Sequence, residues 1–301
     1  MSKSTKWFIA ILVVLALFAG GFILLFFTIL SSVGTENETV VSGSGEKIAI
    51  VDLQGTITSS DDVVRQLKKY RGQHSIKAIV LRIDSPGGAV VPSQEMYEEV
   101  KKTRDDGKPV VVSMGSLAAS GGYYVACGGS RLVANKGTLT GSIGVISEFL
   151  QVYDALAKLG IDVKTIKAGR LKDAGSPTRP MNEGDQAYFQ TLMDDVHQQF
   201  ISVVETERKM KRDDVVALAD GRVFTGEQAV KLGLVDTLGT FEDAIHIAAS
   251  MAGIKGEPAV VRERTRVGVF QSLFGDTEGA IKKLKQDLID RPVLSFKFVE
   301  P

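Results

Sequence analysis

Only one cysteine, Cys127, occurs in the 301 residues. The chain therefore cannot close an intramolecular disulfide, even in oxidising surroundings. Cys127 ends the apolar run Tyr123-Tyr124-Val125-Ala126-Cys127 and reads as a small core residue. Histidine is scarce too: His74, His197 and His246 are scattered, and none belongs to an H-E-x-x-H or cysteine-histidine cluster. That spacing disfavours a zinc hydrolase, and no metal or cofactor is expected. Excess charge is also missing, because 36 Lys plus Arg balance 36 Asp plus Glu. With no basic run interleaved with aromatics, a nucleic-acid partner is not expected.

Charge is wholly absent from Trp7 to Thr35, while Lys3 and Lys6 precede this run and Glu36 and Glu38 follow it. A bilayer core is crossed by roughly 20 apolar residues in helix, and Trp7–Leu30 meets that length. It exceeds the apolar region of an ordinary cleaved leader, and Ala16-Leu17-Phe18-Ala19 is a poor cleavage site. The reading is an uncleaved anchor. Lysines on the near flank place residues 1–6 in the cytoplasm and everything after the span outside the cell membrane. Residues 31–46, rich in Ser, Gly, Thr, Glu and Val, read as a flexible tether. Residues 47–256 form the expected main domain and 257–301 an extension, whose basic clusters Arg262–Arg266 and Lys282–Lys285 read as solvated faces.

What is present, beyond the tether, is alternation of strand and helix. Ile48–Leu53, Ala78–Ile83 and Val110–Val112 are β-rich runs, and a fourth is expected at Val163–Ile166. Helices are expected after Ser60, from Ser93 to Arg104, and around Glu183–Lys209 and Phe241–Met251. The order argues for a mainly parallel α/β sheet with right-handed crossovers, where ligands bind at strand ends. Two small-residue stretches fall at such ends: Asp84-Ser85-Pro86-Gly87-Gly88, and Ala118-Ala119-Ser120-Gly121-Gly122.

Covalent serine catalysis of amide hydrolysis takes a nucleophile, a base and N–H donors aimed at the oxyanion. Ser120 stands where a helix begins, and the N–H groups of Gly87, Gly88 and Gly121 are candidate donors. Read singly, Ser120 is equally an N-cap and the Gly-Gly stretch an ordinary turn. Among bases, Asp194 and His197 share a helix face but read as a solvated pair. Lys172, in the glycine-punctuated stretch Gly169–Gly175, is the alternative. A lysine serves only where burial favours its neutral amine, so Asp173 should point away from it.

Together, Asp84–Gly88, Ala118–Tyr124, Thr138–Gly144 and Gly169–Asp173 resemble the short-form signal peptide peptidases A, serine peptidases of the S49 type. Asp220–Gly226 and Ala229–Asp236 resemble that family as well. The resemblance implies a caseinolytic-protease or crotonase-like fold, Ser120 as nucleophile, Lys172 as general base and Ser142 as a support for the lysine amine. It also implies peptide substrates, above all remnant signal peptides, and a homo-oligomer, with Ser120 and Lys172 supplied either by one chain or by adjacent protomers. An extended peptide is expected to add as a strand beside Gly87–Val91. Two other readings are a non-catalytic membrane scaffold that binds peptides and a crotonase-like acyl-CoA enzyme. Poor access of an exported domain to CoA weighs against the latter.

Overall fold

The computed structural model describes Trp7, Leu12, Leu15 and residues 17–25, 38–43, 45–263 and 295–298. Contacts divide the chain into two units, residues 1–39 with 263–291 and residues 40–262 with 292–301. In the first unit, residues 17–25 are helical with exposed side chains. Among the described residues no helix is long and apolar enough to cross a membrane. Half of the expected span Trp7–Leu30 lies outside those residues, as does the basic cluster Lys282–Lys285.

The second unit carries the sheet. Its strands are β1 (Glu38–Ser42), β2 (Lys47–Gln54), β3 (Ile76–Ser85), β4 (Gly87–Ala89), β5 (Val110–Ala119) and β6 (Arg131–Ala134). They are followed by β7 (Leu139–Gly141), β8 (Val223–Thr225), β9 (Thr237–Leu238), β10 (Ala259–Glu263) and β11 (Ser295–Lys297). The helices are α1 (Asp61–Gly72), α2 (Val90–Asp105), α3 (Gly121–Ala126) and α4 (Tyr153–Lys158). Then come α5 (Glu183–Arg208), α6 (Arg212–Leu218), α7 (Gly226–Lys231) and α8 (Phe241–Met251).

The main sheet runs in the order β1-β10-β2-β3-β5-β6-β9. From β10 to β9 each pairing is parallel. Such strands must be covered on both faces, which explains their continuous apolar runs. Alternate residues separate accordingly: Ile48, Ile50, Val80, Val111 and Val133 pack against α8, through Ala244, Ile245, Ala248 and Ala249. Their neighbours Ala49, Val51, Ile79, Leu81, Val110 and Val112 belong to the larger core with Leu67, Met96, Tyr123 and Phe200.

Helix ends follow local chemistry. Asn182 and Asp185 form a reciprocal capping box at the start of α5, as Thr240 and Asp243 do for α8. Ser60 precedes α1 but makes no cap bond; its hydroxyl donates instead to Glu95 on α2.

Two expectations are corrected. Val163–Ile166 is not a strand: these residues are exposed, and Ile166 is fully so at 100%. β-branched side chains favour a pleated surface, but among the described residues this run pairs with no strand. Arg262 is not a freely solvated charge, because it donates to Asp52 across the β10–β2 pair at 2.9 Å.

Candidate active site

β5 is a long strand with two partners. Its first half pairs with β6 through Val111–Ser113, and its second half with β7 through Leu117–Ala119. Between the two halves the backbone shifts register against β3. Asp84 fixes this irregularity: its carboxylate accepts from Leu117 N–H at 3.0 Å, and a Cβ on Gly115 would lie 2.8 Å from its Cγ. Thr138 and Thr140 brace the same strand by donating to the carbonyls of Gly115 and Ala118, each at 2.7 Å. The motif residues around Asp84 and Thr138 thus aim the end of β5.

That end delivers Ser120. It is buried, with φ 53° and ψ −117°, a region that disfavours a side chain. Its N–H donates to Gly141 O and its carbonyl accepts from Tyr124 N–H, both at 2.8 Å. These two bonds lock the turn from strand to α3. The hydroxyl makes no hydrogen bond among the described residues.

Gly121, the first residue of α3, has no acceptor for its N–H within the helix. It faces Gly87, on which a Cβ would lie 2.5 Å from Gly121 N. Gly87 adopts φ 89°, so both space and conformation require glycine there. Its N–H meets the Ser85 hydroxyl at 3.1 Å, and that hydroxyl donates to Gly55 O at 2.6 Å. Gly88 pairs in register with Phe296 of β11 and bridges Ile57 on its other side.

Ser142 follows directly on Gly141, the residue bonded to Ser120. It is buried at φ 52°, and its N–H donates to Arg222 O at 2.9 Å. β8 pairs antiparallel with β7 and places the Phe224 ring 2.7 Å from where a Cβ on Gly141 would be. The stretch Asp220–Gly226 is therefore the backing of the Ser142 strand.

Ser120, Gly121, Gly87, Gly88 and Ser142 are thereby gathered at one end of the sheet. Among the described residues no hydrogen bond links Lys172 to them. Lys172 lies on an exposed turn, and its amine has no partner among the described residues. Asp173 turns to Arg179 and Lys167 rather than to Lys172, with Arg179 Nε at 2.9 Å from its carboxylate. Hydrogen bonds from Arg179, then Lys167, hold the Asp173 carboxyl well below the ordinary carboxylate range. Arg179 also bonds Asp185 at the start of α5, so the Lys172 turn is tied to that helix. Nor do Asp194 and His197 pair: Asp194 accepts from Gln190 at 2.7 Å, and the buried Nε2 of His197 has no partner among the described residues.

Sequence reasoning missed three contributors. Ser85 and Ser93 read as turn and helix residues, but Ser93 Oγ lies 2.6 Å from where a Cβ on Gly121 would be. Phe296 is the third. It is fully buried and lies beside Gly87, whose added Cβ would be 2.1 Å from Phe296 O. Nothing in its local sequence signals so distant a partner.

The chain is similar to known proteins over much of its length. The family model described as Peptidase family S49 matches residues 102–255, and that of Clp protease matches residues 39–135. A Synechocystis protein named "Putative protease" is 44% identical over 69% of this chain and 76% of its own. The "Putative signal peptide peptidase SppA" of Enterococcus faecium is 31% identical over 87% and 80%. Protease 4 of Haemophilus influenzae is 32% identical over 71% of this chain but only 36% of its own length. The mostly parallel α/β sheet is Clp-protease-like, and the chain belongs to peptidase family S49.

Proposed function

We propose that this chain is a membrane-anchored serine endopeptidase in which Ser120 is the nucleophile and Lys172 the general base. The observation that carries the reading is the pose of Ser120. A non-glycine residue is held at φ 53°, beside Gly121 and Gly87, with its hydroxyl left without a partner among the described residues. Strained conformations of this kind persist where the surroundings over-determine them and a function uses them.

In the proposed reaction, Ser120 Oγ attacks a peptide carbonyl and its proton passes to the Lys172 amine. The Gly121 N–H, with the backbone at Gly87–Gly88, stabilises the charge that develops on oxygen. Collapse of the tetrahedral intermediate breaks the C–N bond, and Lys172 returns the proton to the leaving amine. Water then attacks the acyl-serine by the same route. Ser142, level with Ser120 through Gly141, would receive the lysine ammonium.

Lys172 reaches Ser120 from a second copy of the chain in this reading. Its turn belongs to an exposed stretch that carries Leu150, Leu159, Ile161, Val163 and Ile166 with their side chains in solvent. Such an apolar surface suits contact with another protomer, and burial there would also favour the neutral amine. Residues 7–30 would hold the assembly at the membrane, with membrane-derived peptides, including signal-peptide remnants, as substrates.

The test is hydrolysis of fluorogenic leucine- or alanine-rich peptides by the full chain, compared with folded and assembled Ser120→Ala and Lys172→Ala. Both substitutions should reduce turnover by at least about a thousandfold. Retention of activity by Lys172→Ala would overturn the assignment of the base, and a wild type that cleaves nothing across a peptide library would overturn the peptidase reading.

A further inference from the structure

The strand that delivers Ser120 is interrupted shortly before it does so. Against β3, Ile83 is level with Met114 but Ser85 with Ala118, so Asp84 alone faces Gly115, Ser116 and Leu117. On its other edge β5 leaves β6 at Ser113 and meets β7 only at Leu117. Gly115 and Ser116 therefore have no strand partner among the described residues. A bulge of this kind re-aims the strand beyond it, and its freed backbone groups need other partners.

Side chains supply them. Arg82 of β3 donates through Nη1 to the Met114 carbonyl at 3.2 Å and to Ser113 Oγ at 2.9 Å. Thr138 takes the Gly115 carbonyl, and Asp84 takes the Leu117 N–H. Arg82 is itself held in place: its guanidinium lies 5.4 Å from the centroid of the Phe241 ring at the start of α8. Asp52 stands opposite it on β2 and accepts from Arg262 of β10 at 2.9 Å. A polar row, Arg262-Asp52-Arg82-Ser113, thus crosses β10, β2, β3 and β5 on the face where Ile50, Val80 and Val111 pack against α8. Charges in a sheet covered on both faces cost desolvation, and this row ends on the interruption of β5.

We propose that Arg82 is a positioning residue for Ser120, which fixes the bulge in β5 without touching substrate. This rests on the peptidase reading for the role of Ser120. The strand that carries Arg82 leads on to Gly87, and the strand that it grips leads on to Ser120. Leu117–Ala119 is paired with β7, and Ser120 N–H donates to Gly141 O at the end of that strand. Loosening the bulge therefore displaces Ser120 and Gly141 together against Gly87. Attack on a bound carbonyl tolerates little such displacement, since a shift of about 1 Å costs on the order of a hundredfold in rate.

The test compares the full chain as wild type, as Arg82→Met, which keeps an apolar stem without the donors, and as Arg82→Lys, which keeps a cationic donor. Fold and assembly of each are verified first. In peptide hydrolysis Arg82→Met should lower kcat about tenfold or more with KM within about twofold of wild type, and Arg82→Lys should lose less. Hydrogen exchange gives a reading independent of activity: in Arg82→Met protection should fall over residues 114–120 while β2 and β6 keep theirs. Unchanged kcat, a loss carried by KM, or protection lost across the whole sheet would overturn the proposal. Should Arg82→Met fail to fold, Arg82→Gln takes its place under the same criteria. A wild type that cleaves no peptide would remove the peptidase reading, and exchange alone would then decide: a loss confined to residues 114–120 supports the brace, and no loss there overturns it.

Discussion

A serine at φ 53° and ψ −117° occupies a conformation that glycine adopts freely and an L side chain does not. If function retains the side chain at Ser120, its removal should separate stability from activity. Ser120→Gly is expected to raise stability by about 1 kcal/mol while abolishing turnover, whereas Ser120→Ala abolishes turnover without that gain. Thermal unfolding alongside peptide hydrolysis measures both, and a Ser120→Gly chain less stable than Ser120→Ala would contradict the strain argument. Gly87 predicts the opposite sign. It sits at φ 89°, and an added Cβ would lie 2.1 Å from Phe296 O and 2.5 Å from Gly121 N, so Gly87→Ala should lose about 2 kcal/mol or more as well as activity. Cys127 supplies a reporter of folding. Burial pushes its thiol up to about 12. At pH 8 it should therefore resist a thiol-specific reagent in the folded chain and react only on unfolding; rapid labelling of native protein would show the core around α3 to be open.

At the scale of elements, one carboxylate joins two helices. Glu207, near the end of α5, accepts from Arg104 and Tyr97 on α2 at 2.7 Å each, and Lys101 lies 3.6 Å away. Burial alone would push Glu207 up, but the hydrogen bonds from Arg104 and Tyr97 hold its carboxyl below the ordinary glutamate value. A group depressed in the folded state adds stability above its unfolded pKa of about 4.3, and that contribution is lost as pH falls through the lower folded value. Glu207→Gln should thus cost about 1–3 kcal/mol at pH 7 and flatten the acid side of the stability profile. Denaturant titrations at pH 7 and pH 3 check this, and an unchanged difference between the two would argue against the linkage. The helices themselves were legible, because the spacing over Glu183–Lys209 and Phe241–Met251 marks apolar faces that the structure buries, and Asn182 and Thr240 provide their caps. So were β2, β3 and the start of β5, whose burial on both faces leaves continuous apolar runs. The Val163–Ile166 run shows where local propensity stops: it carries the β-branched pattern without a pairing edge. β11 shows the converse. Three residues, Ser-Phe-Lys, carry almost no strand signal, and the backbones of β4 and Ile146 on either side make them one.

For the whole molecule, the question is how Lys172 meets Ser120. Ser120, Gly87, Gly121 and Ser142 lie together at the end of the sheet, all of them at motif glycines or in their flanks, which is why the sequence exposed them. The position of Lys172 was not legible in the same way, because a solvated turn acquires its surroundings from whatever packs on it. The amine has no partner among the described residues, and Asp173, which would hold it charged, is occupied by Arg179 and Lys167. If a neighbouring copy completes the site, two inactive chains must be able to repair each other. Coexpressed Ser120→Ala and Lys172→Ala chains, assembled at equal ratio through a repeating head-to-tail interface, bring an intact Ser120 to an intact Lys172 at about a quarter of the junctions. Peptide hydrolysis should recover to about that fraction of wild type in the mixed assembly, while each variant alone stays at background. Mixing chains that both carry Ser120→Ala supplies the control for contamination. With mixed assembly verified by two different affinity tags, absence of recovery would place the dyad within a single chain, and the exposed turn would then have to swing onto its own Ser120.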